Sequence, residues 1–221
     1  MPTSITAPLT SDDDLLGMRL AHRVMRRDAA WLVRVADELD TNPSAFDRRR
    51  CAAVASYVEL FATSIHHHHT VEDDVLWPLI VGAAGAHVDL TELTDDHQAL
   101  DPTLEDLRRH AQCLPDPDAV AGFCRASRQL RDQLDEHIDE EERTVFPLIT
   151  TYLRADAWEC FEEGARRGGR MDFDLTRALA VVTPAEASRV RRAIPIALRG
   201  VVFALSCKQR RRERAAFGVD N

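Results

Sequence analysis

The chain has 221 residues, 45% of them hydrophobic and 29% charged, and a formal net charge of −9. That balance excludes a mostly disordered chain, a collagen-like repeat and a multi-span membrane protein, and the negative charge argues against non-specific nucleic-acid binding. The charge is uneven: residues 1–165 carry a net of −17 and residues 166–221 a net of +8, so an acidic body precedes a basic tail.

Residues 1–11 read as a flexible N-terminus. Met1–Asp14 has neither the basic start nor the apolar stretch of a secretory signal, and no uncharged apolar run reaches about 18 residues, so the expected address is the cytoplasm. Ser11-Asp12-Asp13-Asp14 offers a capped, acidic start for a first helix running to about Leu39, where Thr41-Asn42-Pro43-Ser44 breaks it. A second helix spans roughly Ser44 to Trp77 and ends near Pro78; Gly82 to Gly85 reads as a turn. A third covers about His87 to Leu114, with Pro102 as a kink, and Pro115-Asp116-Pro117 is the next break. The fourth runs from about Asp118 to Phe146, where Pro147 interrupts it, and a short helix follows over Ala155 to Arg166. Gly164 and Gly168-Gly169 mark a linker into the tail. The expectation is an all-α, up-down-up-down four-helix bundle with its short helix over residues 12–166, and a basic helical extension over residues 167–221.

The heptad pattern supports this. Each helix carries an inward stripe in alternating steps of three and four, such as Leu15, Met18, His22, Met25, Ala29 in the first and Leu130, Leu134, His137, Glu141 in the fourth. Six strongly polar residues occupy stripe positions: His22, His68, Glu72, His97, His137 and Glu141. Each would cost several kcal/mol in an apolar core unless compensated, so they are expected to meet at one level and build a site. Two helices repeat one local pattern: His68-x3-Glu72 before Trp77-Pro78-Leu79-Ile80, and His137-x3-Glu141 before Phe146-Pro147-Leu148-Ile149. At i and i+4 the imidazole and carboxylate share a helix face. That suits a histidine on one metal and a glutamate bridging to a second. Four histidines and two bridging carboxylates leave about four of the roughly twelve positions of two octahedral ions for small ligands. Nitrogen and oxygen donors with open positions favour two iron ions, with manganese second and zinc lower.

These residues resemble the hemerythrin-like family of HHE cation-binding domains over about residues 12–150. The resemblance implies a non-heme di-iron centre with bridging carboxylates and chemistry with O2, peroxide or nitric oxide. Two positions depart from it. Hemerythrins proper carry a second histidine four residues along the third helix, where this chain has Asp101; a metal ligand, an acceptor for a ligand and a helix-kink residue are all open for it. The last carboxylate of hemerythrins proper follows its histidine by five residues, which keeps Glu142 as an alternative to Glu141.

In the run His66-His67-His68-His69 only His68 lies on the stripe, so His66, His67 and His69 are expected at the surface or behind the ligands. His87 and His110 read as solvated; Asp73, Asp74, Glu140 and Glu142 as solvent-facing or as groups that hold histidines; Tyr57 and Tyr152 as core packing. The five cysteines are odd in number and form no Cys-x-x-Cys pair, so neither a disulfide framework nor a zinc-thiolate site is expected. The tail has three readings: a helix docked on the acidic bundle, an amphipathic membrane-surface anchor, or an RNA- or partner-binding basic arm. The expected partner is a diatomic or peroxide ligand, with no nucleic acid. A sensor or binding protein, a peroxide-decomposing enzyme, and a structural bundle with a vestigial metal site and a basic partner-binding tail are the competing functions.

Overall fold

A computed structural model describes residues 7–85 and 88–218, and no named strand occurs among the described residues. Ser11 opens the first helix as expected: its backbone N–H reaches the Asp14 carboxylate at 2.8 Å, and a 3-10 turn leads into α1 (Leu16–Thr41). Asp47 caps α2 (Arg48–Val71) by accepting from the Arg50 N–H at 2.7 Å. Past α2 the chain does not stop at Pro78. It passes through a π-helical turn, Glu72–Leu76, into α3 (Trp77–Ala84), which ends where Gly85 takes φ 97°. Next come α4 (Thr91–Gln112), which runs through Pro102, and α5 (Pro117–Tyr152), capped by Asp116. Helix α5 also continues through Pro147, against the expected interruption. The physical reason is common to all three prolines: each is exposed, so the helical carbonyl it leaves without a donor faces water. His87 and the proposed start of the third helix there lie outside the described residues.

Helix α1 packs on α5, α5 on α4, and α4 on α2, while α1 and α2 approach less closely. The chain's own C-terminal part fills that seam. Helix α6 (Ala155–Gly168), which extends beyond the expected boundary at residue 166 and contains Gly164, packs on α2. A π-helical turn at Met171–Leu175 leads to α7 (Thr176–Ala180) against α1. After α8 (Ala187–Ala193), the last helix, α9 (Arg199–Phe217), packs on α2, α7 and α1.

The basic tail is therefore docked along the bundle. Phe217 stands 5.1 Å from the Trp31 ring and 4.5 Å from the Tyr57 ring. Arg177 is buried, and its Nε donates to Asp28 Oδ2 at 2.6 Å. The same oxygen accepts from the Tyr57 hydroxyl at 2.6 Å, and Arg27 donates to Asp28 Oδ1 at 2.8 Å. These bonds to both oxygens of Asp28 offset much of the cost of burying the pair. At the α8–α9 elbow, by contrast, Ile196, Leu198, Val201 and Phe203 stay exposed. In the described part of residues 1–11, the Thr10 N–H donates to the Leu153 carbonyl at 2.9 Å, and the Pro8 carbonyl accepts from the Ala155 N–H at 2.9 Å. Tyr57 is core, but Tyr152 is exposed. All five cysteines are free, and no described helix is long and apolar enough to cross a membrane.

The buried apolar side chains fall into two clusters. One gathers Met25, Leu32, Phe61, Leu104, Phe123 and Leu134 with Phe173 and Phe217. The other gathers Leu15, Met18, Leu76, Trp77, Leu93, Val145 and Phe146 with Trp158 and Phe161. Between them lies a belt of buried polar residues.

Candidate metal centre

Each long helix crosses this belt once. His22 lies between Met18 and Met25 on α1, and His97 between Leu93 and Leu100 on α4. His137 and Glu141 follow Leu134 on α5, while His68, His69 and Glu72 follow Ile65 at the end of α2. The π-helical turn begins at Glu72 itself. Such single turns recur at functional sites because they re-aim the side chains around them.

The imidazoles form two pairs. His22 Nε2 and His68 Nε2 are 3.3 Å apart, and His97 Nε2 and His137 Nε2 are 3.2 Å apart. The two glutamates span the pairs. Glu72 Oε1 is 2.8 Å from His68 Nε2, and its Oε2 is 3.7 Å from His97 Nε2. Glu141 Oε2 is 3.3 Å from His22 Nε2 and 3.7 Å from His137 Nε2. Both carboxylates are fully buried, yet none of their four oxygens has a hydrogen-bond partner. Buried polar atoms are almost always paired, and an unpaired carboxylate is among the costliest exceptions. Here the donor atoms of His22, His68, Glu72 and Glu141 all lie within 4.8 Å of one another, and so do those of His69, His97 and His137. Inward-facing nitrogens and orphaned oxygens around common points are what a pair of cations requires, so the residues present fit such a group.

Two of the outer ring nitrogens, those of His22 and His97, are held from behind. Glu142 Oε1 lies 2.9 Å from His22 Nδ1, and Asp73 Oδ1 lies 3.1 Å from His97 Nδ1 while accepting from the Thr94 hydroxyl at 3.0 Å. A carboxylate on Nδ1 fixes the ring and turns Nε2 toward the centre. Phe146 stacks on His22, and Trp77 on His97. Asp74 and Glu140 carry out no such task at the centre; Glu140 instead accepts from the Thr144 hydroxyl at 3.0 Å.

The buried charges of the cluster act strongly on one another. Burial lowers His22, but Glu141 and Glu142 beside it outweigh burial and raise it to about 10. Burial and the His22 charge push His68 down to about 3, and burial lowers His69, His97 and His137. Burial and the neighbouring Glu141 charge raise Glu72 above the ordinary carboxylate range; Glu141 stays low because His22 overrides its burial.

Two expectations need correction. Asp101 is at the surface, 62% exposed, with His66 Nδ1 at 3.9 Å, so it takes no part in the cluster. It sits one helical turn beyond His97, toward the outside of α4. His69, expected at the surface or behind the ligands, is 5% exposed, stacked on His97 at 4.0 Å and edge-on to His137 at 5.2 Å. A heptad stripe admits one residue of an adjacent pair. But α2 stands between α1 and α4, and neighbours 100° apart on a helix can each face one of them: His68 meets His22, and His69 meets His97. Glu142, the alternative to Glu141, is 34% exposed and sits behind His22. Of the other histidines, His66 is exposed, the His67 Nε2–H donates to the Ala165 carbonyl at 2.9 Å, and the His110 ring lies so close to Gly122 that a Cβ there would stand 2.2 Å from it.

The family model of the hemerythrin HHE cation-binding domain matches residues 16–149. This chain belongs to that family. Every residue of the paired cluster falls within the matched segment, whereas α6 to α9 lie beyond it. No curated protein and no solved structure matches the chain.

Proposed function

We propose that the protein is a hemerythrin-like non-heme di-iron protein that binds or reacts with O2, peroxide or nitric oxide. His22 and His68 would hold one ion, and His69, His97 and His137 the other, with Glu72 and Glu141 bridging. The observation that carries the reading is the four orphaned carboxylate oxygens, buried among five imidazoles. The all-nitrogen-and-oxygen donor set favours iron first and manganese second. Bound iron would supply open coordination positions and electrons for a small oxidant. The chain supplies the rest. Glu142 and Asp73 orient the His22 and His97 rings, and apolar clusters flank the centre above and below. His69 gives the centre a third imidazole on its α4–α5 side, where Asp101 supplies none.

The test is metal analysis with an optical spectrum of the full chain purified from iron-supplied cells, followed by addition of peroxide. Two irons per chain and near-ultraviolet absorption support the reading. Oxygen evolution from peroxide that is lost in Glu72→Ala assigns the enzyme. Tight nitric oxide or O2 binding without turnover assigns the sensor. Well under one metal per chain overturns both and leaves a structural bundle.

A further inference from the structure

The seam between α1 and α2 is not completely filled. A cavity of about 430 Å³ remains there, walled by Met18 and Val24 of α1, Val71 of α2, Trp158 and Phe161 of α6, and Leu175. It reaches His68, and His68 is the most exposed member of the paired cluster, at 15%. Three of the six wall residues named come from beyond the family-matched segment. In this chain the tail walls one side of the seam and leaves a half-open chamber beside the cluster.

The walls define what fits. The charged groups around the chamber are already paired within the protein: Arg166 with Glu162 at 3.4 Å, Arg170 with Asp172 at 3.3 Å, and Arg177 with Asp28 at 2.6 Å. Asp174 accepts from the Ser64 hydroxyl and from the Arg170 N–H, each at 2.6 Å. An ionic ligand would gain no free counter-charge and would lose its hydration. Two donors are left over: Arg177 Nη2 and Trp158 Nε1, both on buried side chains that border the chamber, have no hydrogen-bond partner. The volume equals that of about fourteen liquid waters and lies within the range of small-molecule sites.

We propose that this chamber binds an uncharged, largely apolar molecule of about a dozen non-hydrogen atoms with one hydrogen-bond acceptor, a medium-chain alcohol or carbonyl compound, and holds it against His68. Binding needs only the chamber; a role for the molecule as substrate or effector of the centre rests on the di-iron reading above.

The test uses the full chain, with and without bound metal, and decan-1-ol competing against the fluorescent probe N-phenyl-1-naphthylamine. Decan-1-ol is expected to bind saturably with one site per chain, and decanoate at least tenfold more weakly. Ala21→Trp and Ala178→Trp, which place an indole in the chamber, are expected to weaken decan-1-ol at least tenfold. Methionine-methyl NMR of the unmodified chain gives a second readout, since Met18 and Met25 line the chamber and their signals should shift on addition of decan-1-ol. Absence of saturable binding, unshifted Met18 and Met25 signals, or unchanged affinity in both folded tryptophan variants overturns the proposal. Equal affinity for decanoate overturns the uncharged assignment. A chain that takes up no metal but still binds decan-1-ol refutes the di-iron reading alone.

Discussion

Replacing Glu72 by methionine should stabilise the metal-free protein and destabilise the metal-loaded one. The side chain is fully buried, and neither carboxyl oxygen has a hydrogen-bond partner. Leaving buried polar atoms unpaired costs about 1–3 kcal/mol, and exchanging a buried ionisable group for an apolar one of similar length is often stabilising by about 1–4 kcal/mol. The lost attraction to His22 offsets part of this, so a net gain of about 2 kcal/mol is expected for the metal-free chain. In a chain of this length that raises Tm by about 4–8 °C. With cation at about a hundred times its Kd, the unmodified protein gains about 2.7 kcal/mol for each site filled, while the variant has lost a bridging ligand. The order of melting temperatures should therefore reverse. Thermal melts followed by far-ultraviolet circular dichroism, once in chelator and once in excess Mn(II), read this directly. A variant that melts below the unmodified chain in chelator would show that the orphaned oxygens carry no penalty and would refute the reasoning.

His69→Ala should lower bound metal from two ions toward one per chain, while Asp101→Ala should leave it unchanged; elemental analysis distinguishes them. Asp28→Ala leaves Arg177 with the Ser64 hydroxyl at 3.3 Å and Asp174 Oδ1 at 3.6 Å, and removes the acceptor of the buried Tyr57 hydroxyl, so urea unfolding should show a loss of about 3–5 kcal/mol. Arg177→Met should cost less, because Asp28 keeps Arg27 and Tyr57. The hydrogen bond from Arg23 holds the Glu186 carboxyl down at about 2, below its ordinary 4.5. A depressed carboxyl contributes stability that is full above about pH 4.5 and lost as pH falls toward 2. The stability difference between the unmodified chain and Glu186→Gln should accordingly vanish over that interval in acid-dependent melts.

The four long helices and the level at which they converge were readable because a bundle seam repeats. His22, Met25, Ala29 and Leu32 are buried as their spacing requires, and so are Leu93, His97 and Leu100. Beyond the glutamates the pattern drifts. Val145 and Ile149 are buried where steps of three and four pointed to Thr144 and Leu148, because a straight helix turns about 20° per heptad away from a strict seven-residue repeat. On α2 the π-helical turn adds a residue and moves burial to Leu76 and Ile80 in the same sense. Local rules misplaced the helix ends at Pro78 and Pro147, since whether proline breaks a helix depends on which side of the bundle its orphaned carbonyl faces. His69 went unrecognised because a single-stripe reading assigns one partner per helix turn, whereas α2 has two. The adjacent histidines were themselves the available signal. The chamber depends on how α6 and α7 lie across the seam, a long-range arrangement that no local pattern encodes.

The division of the apolar interior in two has a consequence for cooperativity. The cluster containing Phe61 and Phe217 and the one containing Trp77 and Trp158 are separated by the histidine and glutamate belt. Each end of the molecule has its own hydrophobic reason to fold, and the layer between them adds net stability when positive charge neutralises its carboxylates. Metal occupancy then governs whether the two ends melt as one unit or in succession.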